Sequence, residues 1–224
     1  MKLYTFAGST VCRPVAMFMA DHGIKAEEQS VDLMKGEQYQ PWFLAINPNH
    51  AVPVLEDGSF RLTESSAILK YLADLVDSPT YPKPLKERAL VNSAMDWVNT
   101  GLYRSFGYGL CYPQVIEHMK LKDPAAQSLV LAAAQANSRE LLAIMNDRML
   151  GTQNPWICGS ELTIADYFAS GILSIGELMG CAFAEWPNVR RWYDRMQSRE
   201  NWRSANAGLY AWAEYTKGRD YVRV

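Results

Sequence analysis

Cysteine and histidine are sparse in this chain, four and three among 224 residues. Cys12, Cys111, Cys158 and Cys181 lie far apart with no Cys-x-x-Cys pair, and His22, His50 and His118 do not fall at ligand spacing from them. A disulfide framework and a metal site are therefore not expected. An excess of charge of one sign is also missing. A formal charge of −2 and a pI near 6.0 give no basic field to hold a nucleic acid, and no run of like charges marks a tail. Long apolar runs are absent too: nothing approaches the roughly 18 apolar residues of a membrane-spanning helix. The start, Met1-Lys2-Leu3-Tyr4-Thr5-Phe6, lacks the apolar core of a signal peptide. The expectation is a cytoplasmic protein that binds neither nucleic acid nor membrane. No internal repeat or low-complexity segment is evident.

What is present is ordinary globular material, 49% hydrophobic and 21% charged, long enough for two domains. The pattern changes near residues 78–86. Before it, the chain reads strand (2–6), loop, helix (13–22), strand (28–32), a polar loop, two short strands and a helix ending near Val76, an α/β pattern. Ser78-Pro79-Thr80-Tyr81-Pro82-Lys83-Pro84 then carries three prolines in six residues, and from Leu85 onward apolar positions recur at helical spacing. The boundaries predicted are an α/β domain over 1–77, a linker over 78–86 and an all-helical domain over 87–224. Residues 1–77 carry six basic and ten acidic side chains, net −4, against +2 for the remainder, which supports two units.

The most informative stretch is Asn47-Pro48-Asn49-His50-Ala51-Val52-Pro53-Val54-Leu55, followed by Glu64-Ser65-Ser66-Ala67-Ile68. A proline in an apolar strand pattern removes a ladder donor, argues for an edge or a bulge, and can be held cis in a tight turn. Val52-Pro53 would then end a strand and leave the N–H and C=O of Val52 free to pair with an extended peptide. Ser65 opens the run Ala67, Ile68, Leu69, Tyr71, Leu72, and so sits at a helix N-terminus, where N–H groups attract a carboxylate. Together these read as a backbone cradle for a small anionic peptide. A hairpin, a loop and a capped helix with no ligand fit the same residues.

Ser9, in Gly8-Ser9-Thr10-Val11-Cys12-Arg13-Pro14, lies between the first strand and first helix, where a hydroxyl and the helix start converge. A free thiol with a pKa of about 8.5 is only a few per cent thiolate at neutral pH. A hydrogen bond to a charged group is worth about 1.5–3 kcal/mol, so a Ser9 hydroxyl donated to a bound thiolate would lower its pKa by about one to two units. No His or Asp adjoins Ser9 to act as a base, which makes it a donor rather than a nucleophile. Its alternative role is a simple cap. In the helical part, Thr163-Ile164-Ala165-Asp166 reads as a reciprocal capping box whose loss costs about 1 kcal/mol. The aromatics Tyr103, Phe106, Tyr108 and Tyr112 fit either core or an apolar pocket, and Gly107 with Gly109 is expected to interrupt the helix there.

These motifs, in this order and spacing, resemble the cytosolic glutathione S-transferases over nearly the whole chain, and among them the theta and delta classes with an active-site serine. Ser9-Thr10-Val11-Cys12-Arg13 is similar to their Ser four residues before an Arg. Asn47 to Pro53 and Leu62 to Ile68 resemble the glutathione-binding segments, Leu162 to Asp166 the helix-capping box, and Leu102 to Phe106 with Tyr112-Pro113-Gln114 the delta-class helix beside the hydrophobic pocket. The resemblance implies a thioredoxin-like N-terminal domain, an all-α C-terminal domain and a homodimer. It also implies an enzyme that adds glutathione, a co-substrate and not a cofactor, to a small apolar electrophile by substitution, addition or dehalogenation.

Carried onto this chain, the resemblance implies that Ser9 stabilises the thiolate, that Val52 before Pro53 pairs with the cysteinyl unit, that Glu64 and Ser65 hold the γ-glutamyl end, and that His50 reaches the glycyl carboxylate. Gln38 stands where delta enzymes commonly have His, so that glycyl contact is weaker or remade. The aromatic segment carries one extra residue between Phe106 and Tyr112. Tyr103, Phe106, Tyr108 and Tyr112 are the implied electrophile site. Two other readings compete: a thiol transferase or reductase working through Cys12, and a non-catalytic binding protein of the same fold. The zeta class is disfavoured because its Ser-Ser-Cys signature is absent.

Overall fold

The computed structural model describes residues 1–224. One mixed sheet has the strand order β2-β1-β3-β4, built from β1 (Lys2–Thr5), β2 (Glu27–Ser30), β3 (Val54–Asp57) and β4 (Phe60–Leu62). β1 pairs parallel with β2, and the crossover that parallel strands require is α1 (Cys12–Asp21). β1 and β4 both pair antiparallel with β3. Alternation along the strands sorts their side chains between two faces. Leu3 and Leu55 join the large core with α1 and α3 (Ser65–Leu75), while Tyr4 and Val54 close a smaller core with Val31, Val52 and Phe43, the last from α2 (Pro41–Leu44). The edge strand β2 is exposed throughout, and its charged and polar side chains discourage further pairing.

Beyond Pro79, Pro82 and Pro84 the chain is helical: α4 (Leu85–Trp97), α5 (Tyr112–Val115), α6 (Pro124–Ile144), α7 (Ile164–Leu173), α8 (Pro187–Gln197), α9 (Trp202–Ala205) and α10 (Ala207–Thr216). An α/β unit followed by an all-helical unit is the architecture expected from the sequence. α7 is buried along its whole length, as an apolar helix at the centre of a bundle must be. Because α1 packs directly on α7, the large core runs without a break from the sheet into the helices.

Two local expectations need correction. Pro53 does not end an edge strand: the cis Val52-Pro53 bond leads into β3, an inner strand, and Pro53 lies just outside the ladder, where its missing N–H costs no pairing. Gly107 and Gly109 do not break the helix either. Val98–Cys111 continues from α4 into α5 as a π-helix, with Tyr112 N–H donating to the Gly107 carbonyl five residues back. The missing side chains instead make room for the Tyr103 ring and for Ala134 of α6.

Asp166 does more than cap α7. Its carboxylate is fully buried and accepts from Ile157 N–H and Trp192 Nε1 (2.9 and 2.8 Å) and from the Thr163 N–H and hydroxyl (2.9 and 3.1 Å). At the end of α1, Asp21 accepts from Tyr167 (2.6 Å), Arg199 (2.7 Å) and Asn201 (2.8 Å), tying α1 to α7 and to the α8–α9 junction. Burial alone would raise the Asp21 pKa, but those hydrogen bonds outweigh it and hold the carboxyl below its usual range.

Asp166→Ala orphans up to four buried donors and should destabilise the fold by about 3 kcal/mol in urea unfolding, beyond the roughly 1 kcal/mol of an exposed cap. Asp21 contributes stability that is present above the unfolded carboxyl pKa of about 4 and is lost as pH falls through the lower folded value. Asp21→Asn should therefore unfold at lower temperature than wild type at pH 7, with the gap closing below pH ~4 in thermal melts recorded across pH.

Candidate active site

The loop between β1 and α1 is fixed by its own backbone and by α1. Ser9 N–H donates to the Phe6 carbonyl (2.9 Å), and the Ser9 carbonyl accepts from both the N–H and the Nε of Arg13 (3.3 Å each). The Arg13 guanidinium is 2% exposed and reaches across to the helical part, donating to Ser174 Oγ (2.6 Å), Asn206 Oδ1 (2.5 Å) and the Gly171 carbonyl (3.4 Å). Burial lowers its pKa, opposed by the nearby Tyr193, Tyr112 and Glu177. Two helices press on the same loop through glycines. A Cβ at Gly208 would lie 2.5 Å from the Ala7 backbone, and one at Gly171 would lie 2.6 Å from the Pro14 ring and 3.0 Å from the Thr10 carbonyl. Neither close approach was legible beforehand, because an isolated glycine in a helix carries no mark of what it faces.

Facing this loop, Asn47 is buried and braces the turn that follows it, donating to the Ala51 carbonyl (2.8 Å) and accepting from Asn49 N–H (3.0 Å). The brace presents Val52, which is 6% exposed and whose backbone N–H and C=O have no hydrogen-bond partner in the chain. Unpaired main-chain groups at such burial are uncommon and call for a partner. A few residues on, Glu64 adopts φ +67 ahead of α3, and the first N–H groups of that helix, from the buried Ser65 onward, are also unpaired. His50 likewise has positive φ, +44. Non-glycine residues in this region are strained and gather at ligand sites.

These elements line one cleft between the sheet unit and the helices, with two openings that share Val11, Ala51, Val52, Tyr103 and Tyr108. The first, about 500 Å³, takes Pro53, Glu64 and Ser65. The second, about 300 Å³, takes Ser9, Gln38, His50 and Tyr112. The Gln38 Oε1 is buried with no partner. Phe106 belongs to neither opening: it faces the other way, fully buried against Phe183, and its place in the electrophile site is withdrawn.

Residues not assigned roles from the sequence complete the walls. Asn99, Thr100 and the exposed Arg104 face Glu64 and Ser65, while Leu33, Met34, Ile116, Met119 and Trp212 line the apolar side. Arg104 adjoins Tyr103 in the aromatic run, a signal that was available; Trp212 comes from α10, which only the tertiary fold brings near.

The π-helix explains how the aromatics meet. Tyr103 and Tyr112 are nine residues apart, about two and a half turns of an ordinary 3.6-residue helix and so on opposite faces. The wider i→i+5 winding brings them to one face, with their hydroxyls 2.8 Å apart and the Tyr108 ring packed against both. Cys12 takes no place in the cleft. It is 1% exposed, and burial pushes its thiol up, only partly opposed by the Ser9 side chain and the Phe6 backbone.

A thioredoxin-like sheet unit, an all-helical unit, and between them a cleft with free main-chain groups beside a serine loop define a thiol-peptide transferase architecture. The family model described as "Glutathione S-transferase, N-terminal domain" matches residues 1–74, and that described as "Glutathione S-transferase, C-terminal domain" matches 112–200. Glutathione S-transferase theta-3 of Mus musculus is 32% identical over 206 residues, covering 88% of this chain and 82% of the relative. Among solved structures, human glutathione transferase theta-2 in complex with glutathione superposes with TM-score 0.86 at 27% identity, covering 100% of this chain and 93% of the other. A delta-class glutathione transferase of Nilaparvata lugens gives TM-score 0.80 at 29% identity over 96% and 98%. The chain belongs to the glutathione S-transferase family.

Arg13→Met should destabilise the fold by about 3 kcal/mol in guanidinium unfolding, since it strands several buried acceptors, and Arg13→Lys should recover only part because one ammonium cannot span them.

Proposed function

We propose that this enzyme binds glutathione along the Val52 edge and transfers it, as thiolate, to an apolar electrophile held against Tyr103, Tyr108 and Tyr112. The observation that carries this reading is Val52, a nearly buried residue at the cleft whose main-chain N–H and C=O have no partner in the chain. The cysteinyl unit of the tripeptide pairs there as a short added strand. Its γ-glutamyl end carries a carboxylate and an ammonium, which suit the free N–H groups of α3 at Ser65 and the Glu64 side chain beside them. The glycyl end lies toward His50 and Gln38, and the sulfur is left next to Ser9. The glutathione unit is residues 1–77, joined through 78–86 to the electrophile-binding unit, 87–224.

Catalysis then rests on holding the two reactants together and on stabilising the thiolate with a hydroxyl donor. Substitution, addition to an activated alkene and displacement of halide all use the same nucleophile in the same place. The Cys12 reading is disfavoured by geometry, because a buried thiol with a raised pKa is a poor attacking group. We place the enzyme in the cytoplasm, supported by its family and by four unpaired cysteines. A homodimer is supported by the family and by the apolar side chains a single chain leaves in water, Leu85 and Leu90 among them.

The test is an ultraviolet titration of bound glutathione. Thiolate absorbance should appear well below the free thiol's pKa of about 8.5 in wild type and Cys12→Ala, and move to higher pH in Ser9→Ala. An unchanged titration in Ser9→Ala would remove the assigned role of that serine, and loss in Cys12→Ala would favour the redox reading instead.

A further inference from the structure

Beside Ser9 the cleft holds a second hydroxyl that the assigned mechanism does not use. Thr10 is 4% exposed and lines the same opening as Ser9. Its Oγ1 accepts from the Tyr112 hydroxyl at 2.7 Å, and Tyr112 meets the Tyr103 hydroxyl at 2.8 Å. Counting protons fixes the direction of this chain. Each phenol has one hydrogen; that of Tyr112 goes to Thr10, so Tyr103 must be the donor to Tyr112. The proton of Thr10 is then left over, and it has no acceptor anywhere in the chain.

Both phenols are protonated at physiological pH, and burial moves them further from ionisation, pushing Tyr112 up to about 12 and Tyr103 well above its ordinary value. The array Tyr103→Tyr112→Thr10 is thus a run of neutral donors all pointing one way, and hydrogen bonds in series polarise one another. The Thr10 oxygen is satisfied as an acceptor, and its own proton is available to a group bound in the cleft that it lines.

We propose that Thr10 donates a second hydrogen bond to the bound glutathione thiolate, with Tyr112 and Tyr103 as positioning residues that orient and polarise the Thr10 hydroxyl. The proposal rests on the glutathione reading above and adds to it a donor other than Ser9. The thiolate accepts from two adjacent loop residues, the second of them held in place by the helical unit. Because Tyr112 also borders the electrophile side, the array links the wall of that pocket to the acidity of the thiol. A purely structural account of the three hydroxyls, as a tie between loop and helix, makes no demand on the thiol at all.

The experiment measures the pKa of bound glutathione by thiolate absorbance in wild type, Thr10→Val, Thr10→Ser, Tyr112→Phe and Thr10→Val/Tyr112→Phe, with thermal melts run alongside to show that each variant is folded. Thr10→Val, which keeps shape but removes the donor, should raise the bound thiol's pKa by about one unit, and Thr10→Ser should restore it. Tyr112→Phe should give a smaller rise that vanishes in the double variant, since Tyr112 acts only through Thr10. An unchanged pKa in Thr10→Val overturns the second donor, and a Tyr112→Phe shift that persists without Thr10 overturns the array. Absence of a thiolate band in wild type would instead overturn the glutathione reading itself, and the proposal with it.

Discussion

Arg13 carries a full charge at 2% exposure and has only neutral oxygens as hydrogen-bond partners: a loop carbonyl, a helix carbonyl, a serine and an asparagine. Withdrawing such a group from water costs several kcal/mol, and the cost is offset only while every acceptor is in place. The β1–α1 loop, the C-terminal end of α7 and the α9–α10 junction must therefore be correct together or not at all. From that requirement comes the position of Ser9, whose carbonyl is one of the acceptors, and with it the geometry of the cleft. Asp21, at the other end of α1, repeats the arrangement with the sign reversed. An anion is held there by donors from α7 and the α8–α9 junction, so α1 is pinned to the helical unit at both ends by opposite charges.

The cleft between the units divides its tasks by chemistry. Its polar side is largely main chain, at Val52 and the start of α3, and under the proposed reading this side meets features common to all peptides and leaves side chains for the ends of the ligand. Its other side is aromatic and carried on helices. The strained backbone at His50 and Glu64 lies on the polar side, at the two ends of the segment that presents those free groups. Strain is tolerated at His50 because the Asn47 brace fixes the turn around it more strongly than its dihedral preference opposes.

The sequence was most informative where function depends on local chemistry. A proline after Val52, a serine opening a helix and a serine before an arginine each carry a mark of what the backbone must do. Glu64 and Ser65, Val52 and Ser9 could accordingly be named from the residues and His50 from the resemblance, and all of them border the cleft. Contacts that depend on two distant segments left no such mark. Three of the four acceptors of the Arg13 side chain lie more than 150 residues away, and the partners of Gly171 and Gly208 are set by packing. The aromatic run was legible as aromatic, but the resemblance carried all four rings into the pocket together, and which of them face the cleft depends on the winding of the helix that bears them. The period itself differs there, and only the extra residue before Tyr112 hinted at it.

That altered winding limits how this enzyme can diverge. In a straight α-helix, replacing residues on one face reshapes a pocket and leaves the rest of the molecule indifferent. Here the turn that sets Tyr103 beside Tyr112 also places Tyr112 against the loop of Ser9, so a single insertion or deletion in Val98–Cys111 would rotate the pocket wall and detach that loop contact in the same event. Under the proposed reading, point changes at the exposed rim, at Tyr108 or Met34, would alter the pocket without touching that contact. Changes of length in this helix are pleiotropic, and descent should conserve its residue count more strictly than its side chains.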